Sequence, residues 1–158
     1  MAATSQSKDM IELQIKLLDA EMPMPRYQHE GDAGLDLPSR IDCVLEPGER
    51  AVVPTGISMA IPKGYAGFVV PRSGHASRNG ISLVNTPGLV DSGYRGELKI
   101  ILINTDKHEP FHIRRGDRIA QIVIQRVEQV NLVAVAELDD TTRGSGGFGS
   151  TGTESVQS

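Results

Sequence analysis

The sequence predicts an all-β domain of the sandwich, jelly-roll or closed-barrel class. Short segments rich in β-branched and other apolar residues recur along the chain, and turn residues separate them. No stretch shows the long apolar periodicity of a helical bundle, and we find no internal repeat. We expect strands at the following segments: Ile11–Leu17, Ala51–Val53, Ile57–Ile61, Ala66–Val70, Ile81–Val84, Glu97–Ile103, Phe111–Ile113, Ile119–Val127 and Val130–Val135.

The first of these strands has the clearest pattern. Apolar and polar residues alternate from Ile11 to Leu17, and a period of two indicates a half-buried strand. A polar, proline-containing stretch follows from Glu21 to about Pro38, and Gly31–Gly34 within it suits tight turns. Further turns are expected at Glu46–Glu49, Pro62–Gly64, Thr86–Gly88 and Arg115–Asp117.

Only one stretch favours a helix, and it is short. Ser73 can cap the amino end of this helix and Gly80 can end it. The chain therefore divides into a polar tail (residues 1–10), a β domain (11–140) and a Gly- and Ser-rich segment (141–158). Composition alone favours a disordered tail for the last segment. Arg143 and Phe148 favour instead a mobile arm that orders over a ligand.

Length, charge and cysteine content exclude several classes. A chain of 158 residues fits one domain, and its net charge of −4 argues against a nucleic-acid surface. Cys43 is the only cysteine, so no internal disulfide can form and a reducing cytoplasm is the simplest location. The polar start and the short apolar runs predict neither a signal peptide nor a membrane span.

Two familiar patterns fail on their context. His108–His112 matches the H-E-x-x-H zinc motif, but Pro110 disrupts the helix that would bring both histidines to one metal. The glycines after Arg143 match G-x-G-x-x-G, but no strand and helix flank them as a dinucleotide site requires. What remains is a glycine-rich backbone that can approach phosphates closely.

Five segments, taken in order, resemble the five motifs of the trimeric dUTPases. The resemblance runs from about Ile11 to Gly152, nearly the whole chain. His75, Leu89–Val90 and Pro38–Arg40 depart from the usual family pattern, although no charged or aromatic functional group is lost. The five segments are Asp32–Leu37, Pro71–Gly74, Asn85–Glu97, Arg115–Gln121 and Arg143–Gly152.

The resemblance implies a fold, an activity and an assembly. The fold would be a distorted jelly-roll β-barrel with one short helix and a flexible C-terminal arm. The reaction would be Mg²⁺-assisted attack of water on the α-phosphorus of dUTP, giving dUMP and pyrophosphate. This activity would limit uracil in DNA and supply dUMP for dTMP synthesis. The assembly would be a homotrimer in the cytoplasm with shared active sites, and it would bind neither nucleic acid nor membrane.

The resemblance also implies roles around the base and sugar. Asp91 would be the general base that orients the attacking water, and Tyr94 would pack under the deoxyribose and reject a 2′-hydroxyl. On local evidence alone, Asp91 is an ordinary turn aspartate and Tyr94 is equally a core or rim aromatic. The base pocket would comprise Asn85, Leu89, Val90 and Lys99, although Lys99 also fits a solvated strand lysine.

The phosphates would be bound by a second group of residues. Arg72 offers a planar guanidinium, and Ser73 and Gly74 offer a hydroxyl and backbone N–H groups at the predicted helix start. Gln121 would lie near the phosphates, and Asp36 would hold magnesium through water. Without the other motifs, Arg72 is a surface arginine and Asp36 a turn carboxylate.

The C-terminal segment would complete the site. The resemblance implies that Arg143 binds the γ-phosphate and that Phe148 stacks over uracil. It also implies that Ser150 and Thr151 add phosphate contacts.

Arg118 and Asp117 are expected to be structural, as a salt-bridged pair. Two rival functions share this fold, namely a dCTP deaminase and a non-catalytic nucleotide sensor.

Overall fold

The structure is a computed structural model, and it describes residues 10–147. This part of the chain contains ten strands and one helix. The helix α1 spans Ser73–Asn79 and lies between β5 and β6. The strands are β1 (Gln14–Leu17), β2 (Leu35–Pro38), β3 (Cys43–Leu45), β4 (Arg50–Ala60), β5 (Tyr65–Val70), β6 (Ile81–Leu83), β7 (Gly88–Val90), β8 (Glu97–Asn104), β9 (Phe111–Ile113) and β10 (Arg118–Arg126).

The strands pair antiparallel in three sheets. One four-stranded sheet has the order β1-β4-β8-β6, a second has the order β2-β10-β5-β7, and β3 pairs with β9. The prediction of an all-β fold of the jelly-roll type with one short helix is confirmed. Within residues 10–147, strand pairing does not join the three sheets into one continuous barrel.

The core lies along the apolar faces of these sheets. In β8, Leu98, Ile100 and Leu102 are buried, while Lys99 between them is exposed. Each such side chain contributes roughly 1.5–3 kcal/mol by leaving water, so a few of them fix which face of β8 is turned inward. The alternation therefore determines that Lys99 lies on the outer face.

Strand β4 is continuous where the sequence predicts two segments. Its pairing with β8 shifts register between Pro54 and Ser58. Gly56 has a φ of 74°, a conformation that suits glycine, and its N–H donates to Glu97 Oε1 at 2.8 Å. The glutamate that begins β8 is thereby attached to the irregular part of β4, which fixes the start of β8.

An ion-pair network extends from Glu97 to the turn before β10. Glu97 lies 3.5 Å from Arg40, Arg40 lies 3.2 Å from Asp19, and Asp19 lies 2.8 Å from Arg115. The hydrogen bond from Arg115 holds the pKa of the Asp19 carboxyl well below its usual range. The network links four segments that are distant in sequence, and Glu97 also lines the first of the pockets described below.

Helix α1 confirms the expected position, with one correction at its start. The cap residue is Arg72 rather than Ser73, and no side chain caps the helix. Gly80 ends the helix in the left-handed conformation at a φ of 65°. No helix among residues 10–147 is long and apolar enough to cross a membrane.

Three strands are missed by the sequence patterns, and one predicted strand is wrong. Strands β2, β3 and β7 are only three or four residues long and lie in stretches dominated by turn residues. The predicted strand Val130–Val135 is irregular, and no strand among residues 10–147 pairs with it. Its apolar side chains are exposed, and Leu132 keeps 89% of its surface.

The segment around His108 is a turn between β8 and β9. Asp106 Oδ1 accepts hydrogen bonds from the backbone N–H groups of His108 and Glu109 at 2.8 and 2.9 Å. Asn104, which is fully buried, donates to the carbonyl groups of Leu45 and Glu109. In the described part of the chain, no three His, Cys, Asp or Glu side chains are grouped to hold a metal ion.

Candidate active site

The predicted base and sugar residues lie together in one cavity of about 230 Å³, which we call the hairpin pocket. It is formed by β7, by β8 and by the turn between them. Six predicted site residues line it, namely Asn85, Leu89, Val90, Asp91, Tyr94 and Lys99. The structure therefore brings the whole predicted base and sugar group together.

Strand β5 supports one wall of the hairpin pocket. Val69 pairs with Gly88, Phe68 with Leu89 and Gly67 with Val90. Gly88 is buried, and a Cβ atom there would approach Asn85 Nδ2 to 3.3 Å. The close approach of Asn85 to this backbone gives the pocket a rigid polar edge of backbone and amide groups.

The turn after β7 presents Asp91 and Tyr94 on the same side. The Tyr94 backbone N–H donates to the Asp91 carbonyl at 3.1 Å, and the Tyr94 hydroxyl donates to the Glu97 carbonyl at 2.8 Å. A side chain at Gly96 would collide with the Tyr94 ring. Within residues 10–147 the Asp91 carboxylate has neither an ion pair nor a hydrogen bond, and the residue is exposed.

The predicted phosphate residues lie in a second cavity of about 770 Å³, which we call the arginine pocket. It lies where β2, β10 and the start of α1 meet. The five predicted residues that line it are Asp36, Arg72, Ser73, Gly74 and Gln121. The other lining residues were not predicted to bind phosphate, and they include His75, Arg78 and Arg118.

Asp36 joins two arginines of this pocket. Its Oδ1 lies 3.0 Å from Arg72 Nε, and its Oδ2 lies 3.0 Å from Arg118 NH1. Arg72 NH1 also donates to the Arg118 carbonyl at 3.2 Å. The expected pair of Arg118 with Asp117 is wrong, because Asp117 Oδ2 instead accepts from the Arg114 backbone N–H at 2.8 Å. Asp117 therefore forms its hydrogen bond within its own turn, and Arg118 pairs with Asp36 instead.

Gln121 is fixed between two strands. In β10 it pairs with Val70 of β5 and with Asp36 of β2, and its Nε2 donates to the Pro71 carbonyl at 3.0 Å. A Cβ atom at Gly34 would lie 2.5 Å from Gln121 Oε1. The glycine of the first motif is therefore needed for close packing against Gln121.

His75 has a structural contact that the sequence did not indicate. Its Nε2 lies 3.0 Å from the Arg118 carbonyl oxygen, and its ring meets the edge of Phe111 with centroids 5.2 Å apart. Strand β5 ends at Val70, so no strand lies beside Arg118 on that side. Arg72 and His75 therefore supply the donors that this carbonyl would otherwise lack.

The hairpin pocket and the arginine pocket share no lining residue. Gly67 pairs with Val90, so Asp91 lies level with Ala66, whereas Arg72 follows the far end of β5. Six residue steps of about 3.3 Å separate these levels, roughly 20 Å along the strand. One chain therefore presents two separate parts of the predicted site.

Of the predicted C-terminal site residues, the structure describes only Arg143, which lines neither pocket. Arg143 is exposed, and its Nε donates to the Gly146 carbonyl at 2.8 Å. Phe148, Ser150 and Thr151 lie outside the described residues.

The fold and the two pockets define a class. An all-β chain with a largely apolar hairpin pocket, an available carboxylate at that pocket and a separate arginine pocket has the features of a nucleotide hydrolase. A protein-family model described as dUTPase matches residues 20–152. This match spans most of the chain, including both pockets.

Curated relatives carry the same description. The deoxyuridine 5'-triphosphate nucleotidohydrolase of Thermobifida fusca is 58% identical over 142 residues, which cover 90% of this chain and 79% of that protein. The protein of that name from Corynebacterium glutamicum is 54% identical over 144 residues, which cover 91% and 97%. The chain therefore belongs to the dUTPase family, and it is an enzyme of nucleotide metabolism.

Solved structures are similar over the same region. The dUTPase of Staphylococcus bacteriophage 80alpha with dUpNHpp gives a TM-score of 0.84 at 34% identity and covers 91% of this chain and all of that chain (100%). A mutant dUTPase of phage phi11, described with a structural Mg(II) ion, gives a TM-score of 0.76 at 31% identity and covers 82% of this chain and 100% of that chain.

Proposed function

We propose that the chain hydrolyses dUTP to dUMP and pyrophosphate by attack of water on the α-phosphorus. The observation that carries this proposal is the Asp91 carboxylate, which is exposed at the hairpin pocket beside Tyr94 and lies within the family match. Removal of dUTP would limit uracil in DNA, and the dUMP formed would feed dTMP synthesis. The single Cys43 is compatible with action in a reducing cytoplasm.

Asp91 acts in this proposal as the general base. Its carboxylate has no competing partner within residues 10–147, so it can accept a proton from a water and orient that water toward phosphorus. Tyr94 packs under the deoxyribose, where a 2′-hydroxyl would collide with its ring. Asn85 and the β7 backbone pair with the uracil edge, and cytosine would leave buried polar groups unpaired.

The arginine pocket binds the phosphates. Arg72 and Gln121 face the phosphate oxygens together with Ser73 and Gly74. Charge that develops on the leaving pyrophosphate is stabilised by the arginines, which the strands and Asp36 keep in place. This fixed arrangement needs little reorganisation during the reaction.

Magnesium fits the donors of the arginine pocket only indirectly. Both Asp36 oxygens already pair with arginines, which leaves no free oxygen for direct coordination, so this carboxylate would contact a hydrated cation only through water. The ion would neutralise phosphate charge when bound. The related phage phi11 structure, described with a structural Mg(II) ion, supports use of this metal in the family.

The magnesium dependence of the rate tests the role of Asp36. Chelation by EDTA should abolish pyrophosphate release, and added Mg²⁺ should restore it. Asp36→Asn should raise the Mg²⁺ concentration for half-maximal rate by at least about tenfold, as is usual when an outer-sphere partner is lost. Glu12→Gln, an exposed carboxylate before β1, is the matched control. An unchanged magnesium dependence in Asp36→Asn would assign this aspartate a structural role only.

The separation of the two pockets supports a shared site. Water that is oriented by Asp91 cannot reach a phosphorus bound near Arg72 of the same chain if roughly 20 Å separate them along β5. We infer a homotrimer in which the hairpin pocket of one copy faces the arginine pocket of another. The exposed apolar segment from Val130 to Leu138 supplies surface that such an assembly can bury.

The C-terminal segment acts as an arm in this proposal. Arg143 binds the γ-phosphate, Phe148 stacks over the uracil, and Ser150 and Thr151 add phosphate contacts. Closure of the arm excludes bulk water and keeps the phosphate chain extended. Its composition suits this role because glycine allows the backbone to approach phosphates closely.

Deletion of the arm tests this part of the proposal. Removal of residues 142–158 should lower kcat by at least about a hundredfold, because phosphate positioning and water exclusion are lost. The thermal unfolding midpoint and the oligomeric state should stay close to those of the full chain. A truncated enzyme with the full turnover rate would show that residues 142–158 are only a tail.

A nucleotide panel tests the reaction itself. Pyrophosphate release should be fast with dUTP and slower by at least about a hundredfold with UTP, dCTP and dTTP. Asp91→Asn should bind the analogue dUpNHpp as the unmodified chain does and lose turnover by at least about a hundredfold. Release of ammonia from dCTP would identify a deaminase instead. Near-normal hydrolysis by Asp91→Asn would remove Asp91 from the role of base.

A further inference from the structure

One arginine of the arginine pocket has no role in the mechanism above. Arg78 lies in the last turn of α1, lines the pocket beside Arg72 and Gly74, and is exposed. Its sequence position gives no hint of a ligand, because a basic residue in the last turn of a helix usually interacts with the helix dipole. The geometry of the side chain is more specific than that.

The Arg78 guanidinium lies against Gly74. A Cβ atom built at Gly74 would be 2.7 Å from Arg78 NH2 and 3.4 Å from its Cζ. The two residues are four apart on one helix, a spacing that places side chains on the same face. Any side chain at Gly74 would push the guanidinium away, so this glycine lets Arg78 lie on the face that carries the second motif.

Arg78 also differs from its neighbours in charge pairing. Arg72 and Arg118 both pair with Asp36, and Arg72 NH1 already donates to a carbonyl. In the described part of the chain, Arg78 makes neither an ion pair nor a hydrogen bond through its side chain. Its whole fork of donors is therefore available, whereas those of Arg72 and Arg118 are partly used.

An arginine with free donors in a concave pocket attracts anions. The chain as a whole carries a net charge of −4, so a polyphosphate must be attracted by local positive charge. Three arginines and the single carboxylate that pairs with two of them leave this wall of the pocket positive. Asp32, the other acid that lines the pocket, accepts a hydrogen bond from the His29 backbone N–H at 2.9 Å.

We propose that Arg78 is a further substrate-binding residue that contacts the phosphate chain of the nucleotide from above Gly74. This inference rests on the proposed function. Because Arg78 binds phosphate charge in the ground state and the transition state alike, its loss should raise KM and leave kcat largely unchanged. A purely structural role at the end of α1 would instead change the unfolding midpoint and leave the affinity for phosphate unchanged.

The test compares Arg78→Gln with the unmodified chain in binding and turnover. The dissociation constant for dUpNHpp at low salt should rise about tenfold, the effect of one charge-assisted hydrogen bond. KM for dUTP should rise to a similar extent, while kcat stays within about twofold. The affinity difference should shrink as NaCl rises from about 0.05 to 0.5 M, because salt screens an exposed charge. Arg78→Lys keeps the positive charge and loses the planar guanidinium. Its affinity for dUpNHpp should lie between those of the unmodified chain and Arg78→Gln.

Lys63→Gln is the matched control. It removes the same charge from the turn before β5, at the opposite end of that strand from Arg72, and Lys63 does not line the arginine pocket. It should bind dUpNHpp as the unmodified chain does. Equal affinities in Arg78→Gln and Lys63→Gln, or a loss confined to kcat, would overturn the role of Arg78. If the unmodified chain neither bound dUpNHpp nor hydrolysed dUTP, the proposed function itself would fail.

Discussion

The pairing of β5 with strands on both sides is the constraint on which the two pockets depend. On one side β7 pairs with β5 and supports the wall of the hairpin pocket. On the other side β10 pairs with β5 and places Gln121 level with Val70, two residues before Arg72. Because Asp91 lies level with Ala66 and Arg72 follows Val70, six residue steps, roughly 20 Å of extended chain, separate Asp91 from Arg72 within a chain. This separation is the observation behind the proposal of a site shared between copies.

The general class of the fold could be predicted from local patterns, since Ile11–Leu17 alternates with a period of two and β8 and β10 are apolar runs bounded by turn residues. The short strands β2, β3 and β7 could not, because three or four residues among turn residues show no period. The segment Val130–Val135 has a strand-like composition, and no strand in the described part of the chain, residues 10–147, pairs with it. The composition of a segment indicates that it can form a strand, but only the structure shows which strand, if any, it pairs with.

The candidate site could be predicted largely because its residues lie in continuous motifs that match a known family. The pockets confirm the grouping of Asp91 with Tyr94 and of Arg72 with Gln121, although their roles in the reaction stay predictions. The pairing of Asp36 with two arginines and the position of Arg78 over Gly74 were not predictable. Both depend on contacts between segments or on side-chain direction, and residue spacing alone does not determine these.

Mixing two inactive variants tests the division of the site most directly. Asp91→Asn disables the hairpin pocket, and Arg72→Gln disables the arginine pocket. If copies mix at random, three in four trimers are mixed and each has one intact site in three, so activity should recover to about a quarter of the unmodified level. A mixture that forms mixed trimers and stays as inactive as its parents would contradict a site shared between copies.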